Sequence, residues 1–457
     1  MTPVAYQSIG GGSNIKSFSF IDILPPQTAP TMMTTINRRN KLADKLYEYQ
    51  EWAINALLSG KHIVVAGTGS GKGAMAVIWA KAMCEKTNKH KVLVVTTASK
   101  ANMKPNDFEG DADKWCSPSF RKSLSSFSVI SWHKLSAWVA ANWKNLSDWV
   151  FVFDEIAKAS AGVSSGMGKA FLKIAAQNKD WAGFTATPGD VWIKFYPYFQ
   201  ACGLVKNKTQ FVNRYCVVQT FKGFPEIVKY RLEDELKRFW TSISAAPDTK
   251  KMLEELPQET HKVLSFKKTR DYTNTLKTRM SVCGDMLDTP GALCAELRRL
   301  CFTKDKKQWI SDFVEGLGTG AVMFYNFIRT GDELEEVVEK VLPKGAKVWR
   351  IDGKHHDIPT ADTIGKYDVV LCQWQSGSEA LNLQFLHYWV AVELCYSYST
   401  AIQARGRIKR IGQKSLMRYY YLLTDGTIEQ AILKCLKNKS EFSEDVWAAE
   451  LEERRKR

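Results

Sequence analysis

The chain has 457 residues, of which 45% are hydrophobic and 25% are charged, so it carries enough apolar surface for folded cores. No apolar run reaches the roughly 18 residues that span a bilayer, no secretory signal is evident, and the ten cysteines include no C-x-x-C pair, which argues against a zinc site or a disulfide scaffold. The formal net charge of +16 favours a polyanionic partner such as nucleic acid about as strongly as it favours an unrelated basic protein.

Residues 1–36 have the composition of a flexible N-terminal segment, with glycines at positions 10–12 and prolines at 25, 26 and 30. From Lys41 onward, short apolar runs alternate with helix-compatible stretches. The strands predicted here are His62–Ala66, Lys91–Thr96, Phe127–Ser131, Val150–Phe153 and Trp181–Thr185. This alternation is typical of a parallel sheet covered by helices on both faces. We predict an α/β lobe with a helical extension over residues 37–255.

Amphipathic, charged segments between about 229 and 315 predict helices. These are Arg231–Trp240, Asp271–Met286 and Ala292–Leu300. A second alternating block follows, with predicted strands Ala321–Tyr325, Ala346–Ile351, Tyr367–Cys372, Tyr388–Val392 and Met417–Leu423. We predict a helical region and a second lobe over 256–441 and a charged tail over 442–457. The predicted fold class is therefore α/β, with two parallel-sheet lobes and helical insertions between them.

A glycine-rich run follows the first predicted strand and precedes a predicted helix: Gly67-Thr68-Gly69-Ser70-Gly71-Lys72-Gly73. Glycines let backbone N–H groups approach an anion, and a helix N-terminus adds favourable partial charge. Lys72 is placed to reach the β- and γ-phosphates of a nucleotide. Gly73 stands where a Ser or Thr hydroxyl normally helps to hold Mg²⁺. We expect a water to take that position, the alternatives being weaker metal binding or an impaired ATPase.

Two carboxylates and two arginines are further candidates. Asp154 and Glu155 follow the apolar run Val150–Phe153, where Asp154 would hold Mg²⁺ and Glu155 would orient or deprotonate an attacking water. A strand end that becomes polar at the surface explains this pair equally well. Arg407 and Arg410 share one face of a helix predicted over 403–410 and suit a γ-phosphate in the transition state. Taken alone, a solvated basic helix or a contact to a phosphate backbone explains them better.

In this order, the segments resemble the motifs of superfamily 2 helicases, and in particular the Swi/Snf-related branch of DNA translocases, over about residues 42–440. In the first lobe the resembling segments are Leu46–Gln50, Ala66–Gly73, Val92–Lys100, Val129–Leu135, Asp154–Ala157 and Thr185–Pro188. Glu255–Pro257 with Tyr272 resembles the family's bridge between the lobes. In the second lobe the segments are Phe324–Phe327, Ile351–Gly353, Ser376–Gln384, Gln403–Gln413 and Gly426–Glu429. The joint match is specific, although most single pieces are not.

The resemblance implies two RecA-like lobes with ATP and Mg²⁺ bound between them. The implied catalytic residues are Lys72, Asp154 (the Mg²⁺ ligand), Glu155, Arg407 and Arg410. The implied nucleotide-binding residues are Gln50, Gly67, Thr68, Gly69, Ser70, Gly71, Lys72, Gly73 and Gln403. The implied contacts to the DNA backbone are Thr97, Ser99, Lys100, Ser376 and Gly377. Besides Gly73, the chain departs from the branch at Ile156-Ala157, which replaces Ala-His, and at Tyr398-Ser399, which replaces Asn-Pro.

The function implied is an ATP-dependent translocase or helicase on DNA, with duplex favoured over single strands. Its compact core suits replication, recombination or repair in a phage or mobile element, in the bacterial cytoplasm, or in the nucleus of a eukaryote. We expect a monomer that needs no membrane. Two alternatives stay open: a non-hydrolysing nucleic-acid clamp with a degenerate ATP site, and the motor subunit of a restriction or remodelling complex.

Overall fold

The computed structural model describes residues 46–102, 107–160, 166–189, 191–221, 224–249, 256–355, 357–377, 381–438, 442–444, 447 and 451. The flexible segment predicted over 1–36 lies outside these residues, as does most of the tail predicted over 442–457. The chain divides into two compact units between positions 255 and 256. We call residues 14–255 the N-terminal unit and residues 256–457 the C-terminal unit. No helix in the described part of the chain combines the length and the apolar character needed to cross a membrane.

The described strands of the N-terminal unit form a parallel six-stranded sheet and a separate hairpin. The sheet strands are β1 Ile63–Val65, β2 Lys91–Thr96, β3 Ser126–Ser131, β4 Trp149–Asp154, β5 Trp181–Thr185 and β8 Ser244–Ala245. Their order is β3-β2-β4-β5-β1-β8. The antiparallel hairpin consists of β6 Cys216–Phe221 and β7 Phe224–Tyr230. The five strands predicted for this unit are confirmed, whereas β8 and the hairpin were not predicted.

Helices cover both faces of this sheet. They are Glu48–Leu58, Lys72–Thr87, Ala98–Asn102, Asp107–Trp115, Pro118–Ser123, Leu135–Asn142, Gly166–Gln177, Tyr196–Ala201, Lys208–Tyr215 and Glu233–Ile243, with short 3-10 turns at Trp132–Lys134, Trp143–Asp148, Ile156–Ala159 and Trp192–Phe195. Successive strand residues point to opposite faces. Val150 and Val152 therefore join one apolar core, while Phe151 and Phe153 join the other. Such two-sided burial explains the continuous apolar runs of the sequence.

The C-terminal unit contains a second parallel six-stranded sheet in its described part. Its strands are β9 Glu259–Phe266, β10 Ala321–Tyr325, β11 Val348–Ile351, β12 Val369–Gln373, β13 Tyr388–Ala391 and β14 Met417–Thr424, in the order β11-β12-β10-β13-β14-β9. The five predicted strands of this unit are confirmed. Strand β9 was not predicted, and it lies at the sheet edge, where it pairs with β14 over its full length. The predicted α/β fold class is thus confirmed, with a parallel sheet in each unit.

The helices of the C-terminal unit correct two predictions. They are Arg270–Thr278, Pro290–Arg299, Lys304–Gly316, Ile328–Glu339, Trp374–Gly377, Tyr398–Arg405 and Ile428–Lys437. The helix predicted to reach Met286 ends at Thr278, because Arg279 adopts a left-handed conformation at φ +55° and the following residues turn back. The helix predicted to contain Arg407 and Arg410 ends at Arg405, before both arginines.

Candidate nucleotide-binding site

The predicted order of strand, glycine-rich loop and helix is present in the N-terminal unit. Strand β1 ends at Val65, and the helix Lys72–Thr87 begins directly after the loop. Gly69 and Gly71 have positive φ angles of +79° and +73°, which glycine adopts without steric cost. A β-carbon on Gly71 would also overlap Nε2 of Gln50. Backbone conformation and close approach therefore both require glycine at position 71.

Side chains from the helix Glu48–Leu58 support this loop. The Tyr49 hydroxyl and the Gln50 amide both donate to the Ser70 carbonyl oxygen, at 2.9 and 3.0 Å. Oε1 of Gln50 accepts from the Tyr47 backbone N–H at 3.1 Å. Since Gln50 is only 4% exposed, these bonds fix the loop to the helix. The structure thus gives Gln50 a positioning contact, and its predicted contact with adenine stays a prediction.

Lys72 lies over the loop that it follows. Its ammonium donates to the carbonyl oxygens of Ala66 and Gly67, each at 3.0 Å. The Ser70 hydroxyl donates to the same Gly67 carbonyl at 2.8 Å. The lysine charge is therefore concentrated at the mouth of the loop, where its backbone N–H groups and the helix start attract an anion.

Asp154 is the last residue of β4, and only 3% of it is exposed. Its Oδ2 accepts from the Thr96 hydroxyl at 2.6 Å and from the Lys100 ammonium at 2.7 Å. Burial raises the pKa of Asp154, but Lys100, Thr96 and then Lys72 outweigh burial, so the pKa lies below its usual value. The site therefore holds an ionised carboxylate whose charge Lys72 also stabilises.

Glu155 turns the chain out of β4 in an unusual backbone conformation. Its φ and ψ are +50° and +51°, which costs a residue other than glycine about 1–3 kcal/mol. Thr185, at the end of the neighbouring strand β5, points its hydroxyl toward Glu155 Oε2 at 3.5 Å and accepts from the Thr187 N–H at 3.1 Å. The acidic pair and the Thr185–Pro188 segment consequently lie together at the carboxyl edge of one sheet.

The predicted DNA contacts of this unit lie close to Asp154. Thr97 follows β2 and is 3% exposed, and its hydroxyl has no hydrogen-bond partner among the described residues. Ser99 and Lys100 belong to the short helix Ala98–Asn102. The Lys100 ammonium contacts Asp154 at 2.7 Å, so its predicted contact with DNA would share this lysine with the carboxylate.

Arg407 and Arg410 lie near each other, but a turn rather than the predicted helix face brings them together. Both follow the helix Tyr398–Arg405 in a turn. Their Nη1 atoms donate to the carbonyl oxygen of Leu381, at 3.5 Å from Arg407 and 3.0 Å from Arg410. Arg410 also donates to Oδ1 of Asn382. The turn therefore brings both guanidinium groups to residues 381–382 of the same unit.

The other candidates of the C-terminal unit lie on two short helices. Gln403 is half-buried on the helix Tyr398–Arg405, and Ser376 and Gly377 end the helix Trp374–Gly377. Gln413, a residue of the resembling segment, is 7% exposed, and its amide donates to the carbonyls of Leu386 and Ile408 at 2.8 and 3.1 Å. Gln413 thus holds the arginine-bearing turn in place.

Sequence reasoning missed Thr96, Tyr49 and Asp111. Thr96 and Tyr49 contact the site as described above. Asp111 lies on the helix Asp107–Trp115, and a β-carbon on Gly73 would overlap its Oδ2 and lie 3.4 Å from its Cγ. A threonine at position 73 would therefore collide with the Asp111 carboxylate, which fills the space that its side chain needs. The glycine at position 73 was the available signal that another residue occupies this place.

Several curated proteins are similar to parts of the chain, and no family model matches it. The TATA-binding protein-associated factor mot1 of Aspergillus fumigatus is 32% identical over 117 residues, 24% of this chain and 6% of that protein. The uncharacterized ATP-dependent helicase YqhH of Bacillus subtilis is 34% identical over 82 residues, 18% of this chain and 14% of that protein. The DNA repair protein RAD5 of Candida glabrata is 28% identical over 183 residues, 38% and 15% of the two chains. This chain thus spans a small share of the length of each relative.

A solved structure, the Sulfolobus solfataricus SWI2/SNF2 ATPase core in complex with dsDNA, is similar at 15% identity over 87% of this chain and 92% of that one. Its TM-score of 0.38 is too low to support a shared arrangement. The ordered motifs, the two parallel sheets and the curated relatives are the stronger observations. The chain is thus similar, over limited segments, to proteins named as an ATP-dependent helicase and a DNA repair protein.

Proposed function

We propose that this protein is a DNA-dependent ATPase that uses ATP and Mg²⁺ to move along DNA, with duplex DNA preferred. The observation that carries the proposal is the placement of a glycine-rich loop, Lys72 and the pair Asp154-Glu155 in one unit. There Lys100, then Thr96 and then Lys72 lower the pKa of Asp154 against the effect of burial. Phosphoryl transfer depends on positioning and charge neutralisation, which these groups are suited to supply.

Each residue has a defined part in the proposed reaction. The loop N–H groups and Lys72 bind the β- and γ-phosphates. Asp154 is an ionised oxygen donor suited to Mg²⁺, which supplies charge neutralisation when it is bound. Glu155 accepts or orients the proton of the attacking water. Arg407 and Arg410 keep their predicted role at the γ-phosphate.

The donor set fits an ion that arrives with the nucleotide. Within the described residues, no group of three or more His, Cys, Asp or Glu could hold a metal ion by itself. Nucleotide-bound Mg²⁺ needs only one or two carboxylates, because phosphates and water supply its other ligands. Asp154 can meet that requirement.

The choice of DNA as partner rests on charge and on the relatives. A net charge of +16 suits a polyanion, and the relatives include a protein named for DNA repair and one named an ATP-dependent helicase. We propose backbone contacts from Thr97, Ser99, Lys100, Ser376 and Gly377, and a role in replication, recombination or repair. Backbone contacts carry little sequence information, so binding should weaken steeply with salt and depend little on sequence.

A non-hydrolysing clamp is the second candidate, and Gly73 is the observation that favours it. Without a hydroxyl at this position, the metal site lacks a usual ligand. A clamp would bind DNA and nucleotide without turnover, so the rate of hydrolysis separates the two functions.

The proposal is tested by measuring ATP hydrolysis without nucleic acid and with single-stranded DNA, duplex DNA or RNA. We expect duplex DNA to stimulate turnover most, and Glu155→Gln to lower the stimulated rate by about 10²- to 10⁴-fold while DNA binding persists. Turnover absent under every condition, with DNA and ATP bound, would instead establish the clamp. Stimulation by RNA alone would contradict the choice of DNA.

A further inference from the structure

Position 73 is occupied by a side chain from another helix. Gly73 is the second residue of the helix Lys72–Thr87, where a Ser or Thr would point a hydroxyl at the nucleotide-bound metal. A β-carbon built there would overlap Oδ2 of Asp111 and lie 3.4 Å from its Cγ. The Asp111 carboxylate thus lies where the missing side chain would begin.

The packing of two helices fixes this placement. The helices Lys72–Thr87 and Asp107–Trp115 lie against each other. Phe108 and Ala112, which are 2% and 0% exposed, join the apolar core that also contains Ala76 and Ala80. Asp111 lies three residues after Phe108 and directly before Ala112, so it belongs to the helix face that packs against the helix Lys72–Thr87.

The same helix also borders the Asp154 side of the site. The Lys100 ammonium, which contacts Asp154 at 2.7 Å, lies 5.9 Å from the centre of the Phe108 ring. Phe108 is one helical turn from Asp111. The helix Asp107–Trp115 therefore connects position 73 with the surroundings of the other candidate metal ligand.

Charge limits what Asp111 can do beside a bound nucleotide. A carboxylate at a phosphate-binding loop repels the phosphates, unless a cation lies between the two. Mg²⁺ prefers oxygen ligands, and a carboxylate is a stronger donor for it than a hydroxyl because it carries a charge. The arrangement is therefore unfavourable for nucleotide alone and favourable for its magnesium complex.

We propose that Asp111 replaces the missing hydroxyl and is an oxygen ligand of the nucleotide-bound Mg²⁺, contributed by a neighbouring helix. This inference rests on the proposed nucleotide site and deepens it. It also explains how the chain dispenses with Ser or Thr at position 73. Asp111 and Gly73 then form a matched pair, in which the small residue makes room for the carboxylate.

The test is the Mg²⁺ dependence of nucleotide binding, measured with a fluorescent ATP analogue, so that no turnover is needed. Asp111→Asn keeps the shape of the side chain and removes its charge. We expect the Mg²⁺ concentration at half-saturation to rise about 10- to 100-fold. In EDTA, the variant should bind the analogue at least as tightly as the unmutated chain, because a repulsive charge is gone.

Two further variants complete the design. Asp113→Asn removes the same charge from the same helix, but its side chain is 69% exposed and pairs with Arg121, so the midpoint should not move. Gly73→Ser should weaken nucleotide binding, because the serine side chain collides with Asp111. The double change Gly73→Ser with Asp111→Ala should return the Mg²⁺ midpoint most of the way to the value of the unmutated chain. Thermal melting without nucleotide shows whether each variant folds.

The outcomes separate this inference from the proposed function. If the unmutated chain binds no nucleotide, both ideas are wrong. If it binds nucleotide with a Mg²⁺ midpoint that Asp111→Asn leaves unchanged, Asp111 is only a cap for the helix start, and the proposed function stands without it. A shifted midpoint that the double change restores supports the ligand role.

Discussion

Asp154 and Glu393 are buried carboxylates at the carboxyl ends of core strands, one in each unit, and their surroundings differ. They are 3% and 2% exposed. Asp154 contacts a lysine ammonium and a hydroxyl. Glu393 accepts from the backbone N–H groups of Asn326 and Phe327 at 2.5 and 3.2 Å and from the Thr330 hydroxyl at 2.9 Å. Glu393 is therefore held at the start of the helix Ile328–Glu339.

The two carboxyl groups consequently have pKa values shifted in opposite directions. Burial raises the pKa of both groups. Near Asp154 the cations outweigh the effect of burial, so its pKa is lowered. Near Glu393 the backbone donors and Arg298 are too weak to do so, and its pKa stays raised. A carboxylate held by a side-chain cation can exchange that partner for another cation. A carboxylate fixed by backbone N–H groups is a helix cap, so burial alone does not mark a functional acid.

The largest expected effect is a loss in the free energy of unfolding, at a buried lysine–carboxylate pair with a structural role. Lys306 and Glu429 have side chains 0% and 3% exposed and meet at 2.9 and 3.0 Å, while Glu429 also accepts from the Thr424 N–H at 2.7 Å. Lys306→Met leaves a buried charge unpaired and should lower the free energy of unfolding by about 3–5 kcal/mol in urea titrations. The Mg²⁺ midpoint for nucleotide binding should not move.

The next residue provides the control for this change. Lys307 pairs with Glu333, but the two side chains are 31% and 32% exposed. Lys307→Met should therefore cost about 0–1 kcal/mol. An equal loss in the free energy of unfolding from the two substitutions would show that burial of the Lys306–Glu429 pair does not increase the cost of breaking it.

The second prediction separates Asp154 from Glu393 by function. Asp154→Asn removes the proposed Mg²⁺ ligand and should lower DNA-stimulated ATP turnover by at least about 100-fold. Glu393→Gln replaces the other buried carboxyl with an amide of similar shape. It should change turnover little, because Glu393 contacts a helix start. Steady-state hydrolysis at saturating ATP measures both. A comparable loss in the two variants would contradict the distinction.

Some of the fold was predictable because burial leaves a pattern in the sequence. Val150–Phe153 is apolar throughout because both faces of β4 are covered. Strand β9 is mostly exposed, with Val263 44% exposed, so its strand conformation depends on pairing with β14. Such an edge strand carries too weak a local signal to be predicted.

In the candidate site too, residues marked by sequence spacing could be predicted, whereas residues brought in by tertiary contacts could not. Lys72 and Asp154 were predicted because each lies at a fixed spacing from an apolar run in the sequence. Asp111 and Thr96 were not, because contact between separate elements, rather than spacing, brings them to the site. Arg407 and Arg410 were correctly paired for an incorrect reason: a turn, not a helix face, brings them together.

The third prediction tests how tightly the turn after Asp154 is packed. Gly183 of β5 pairs with Phe153, and a β-carbon there would overlap the Ile156 side chain. Gly183→Ala should cost about 1–3 kcal/mol by overpacking. Adding Ile156→Ala should recover part of the loss. Gly316→Ala is the control, since its β-carbon meets nothing within 4 Å, and urea unfolding that shows equal losses at both glycines would contradict this packing account.

The smallest expected effect is on the pH dependence of the free energy of unfolding. It distinguishes a carboxyl with a raised pKa, Glu393, from one with a lowered pKa, Glu333. Because its pKa is raised in the folded protein, Glu393 favours folding below its ordinary value of about 4.5 and loses that contribution as the pH rises through the folded pKa. Glu393→Gln removes this loss, so its free energy of unfolding relative to the unmutated chain should increase from pH 4.5 toward neutrality. Glu333→Gln, on the helix Ile328–Glu339 whose start Glu393 contacts, should show the opposite slope. There burial raises the pKa, but Lys307 and Arg329 outweigh it, so the stabilisation is present above about 4.5 and lost as the pH falls through the lowered pKa. Urea unfolding on both sides of pH 4.5 measures both, and parallel slopes would mean that burial does not raise the pKa of Glu393 in the folded protein.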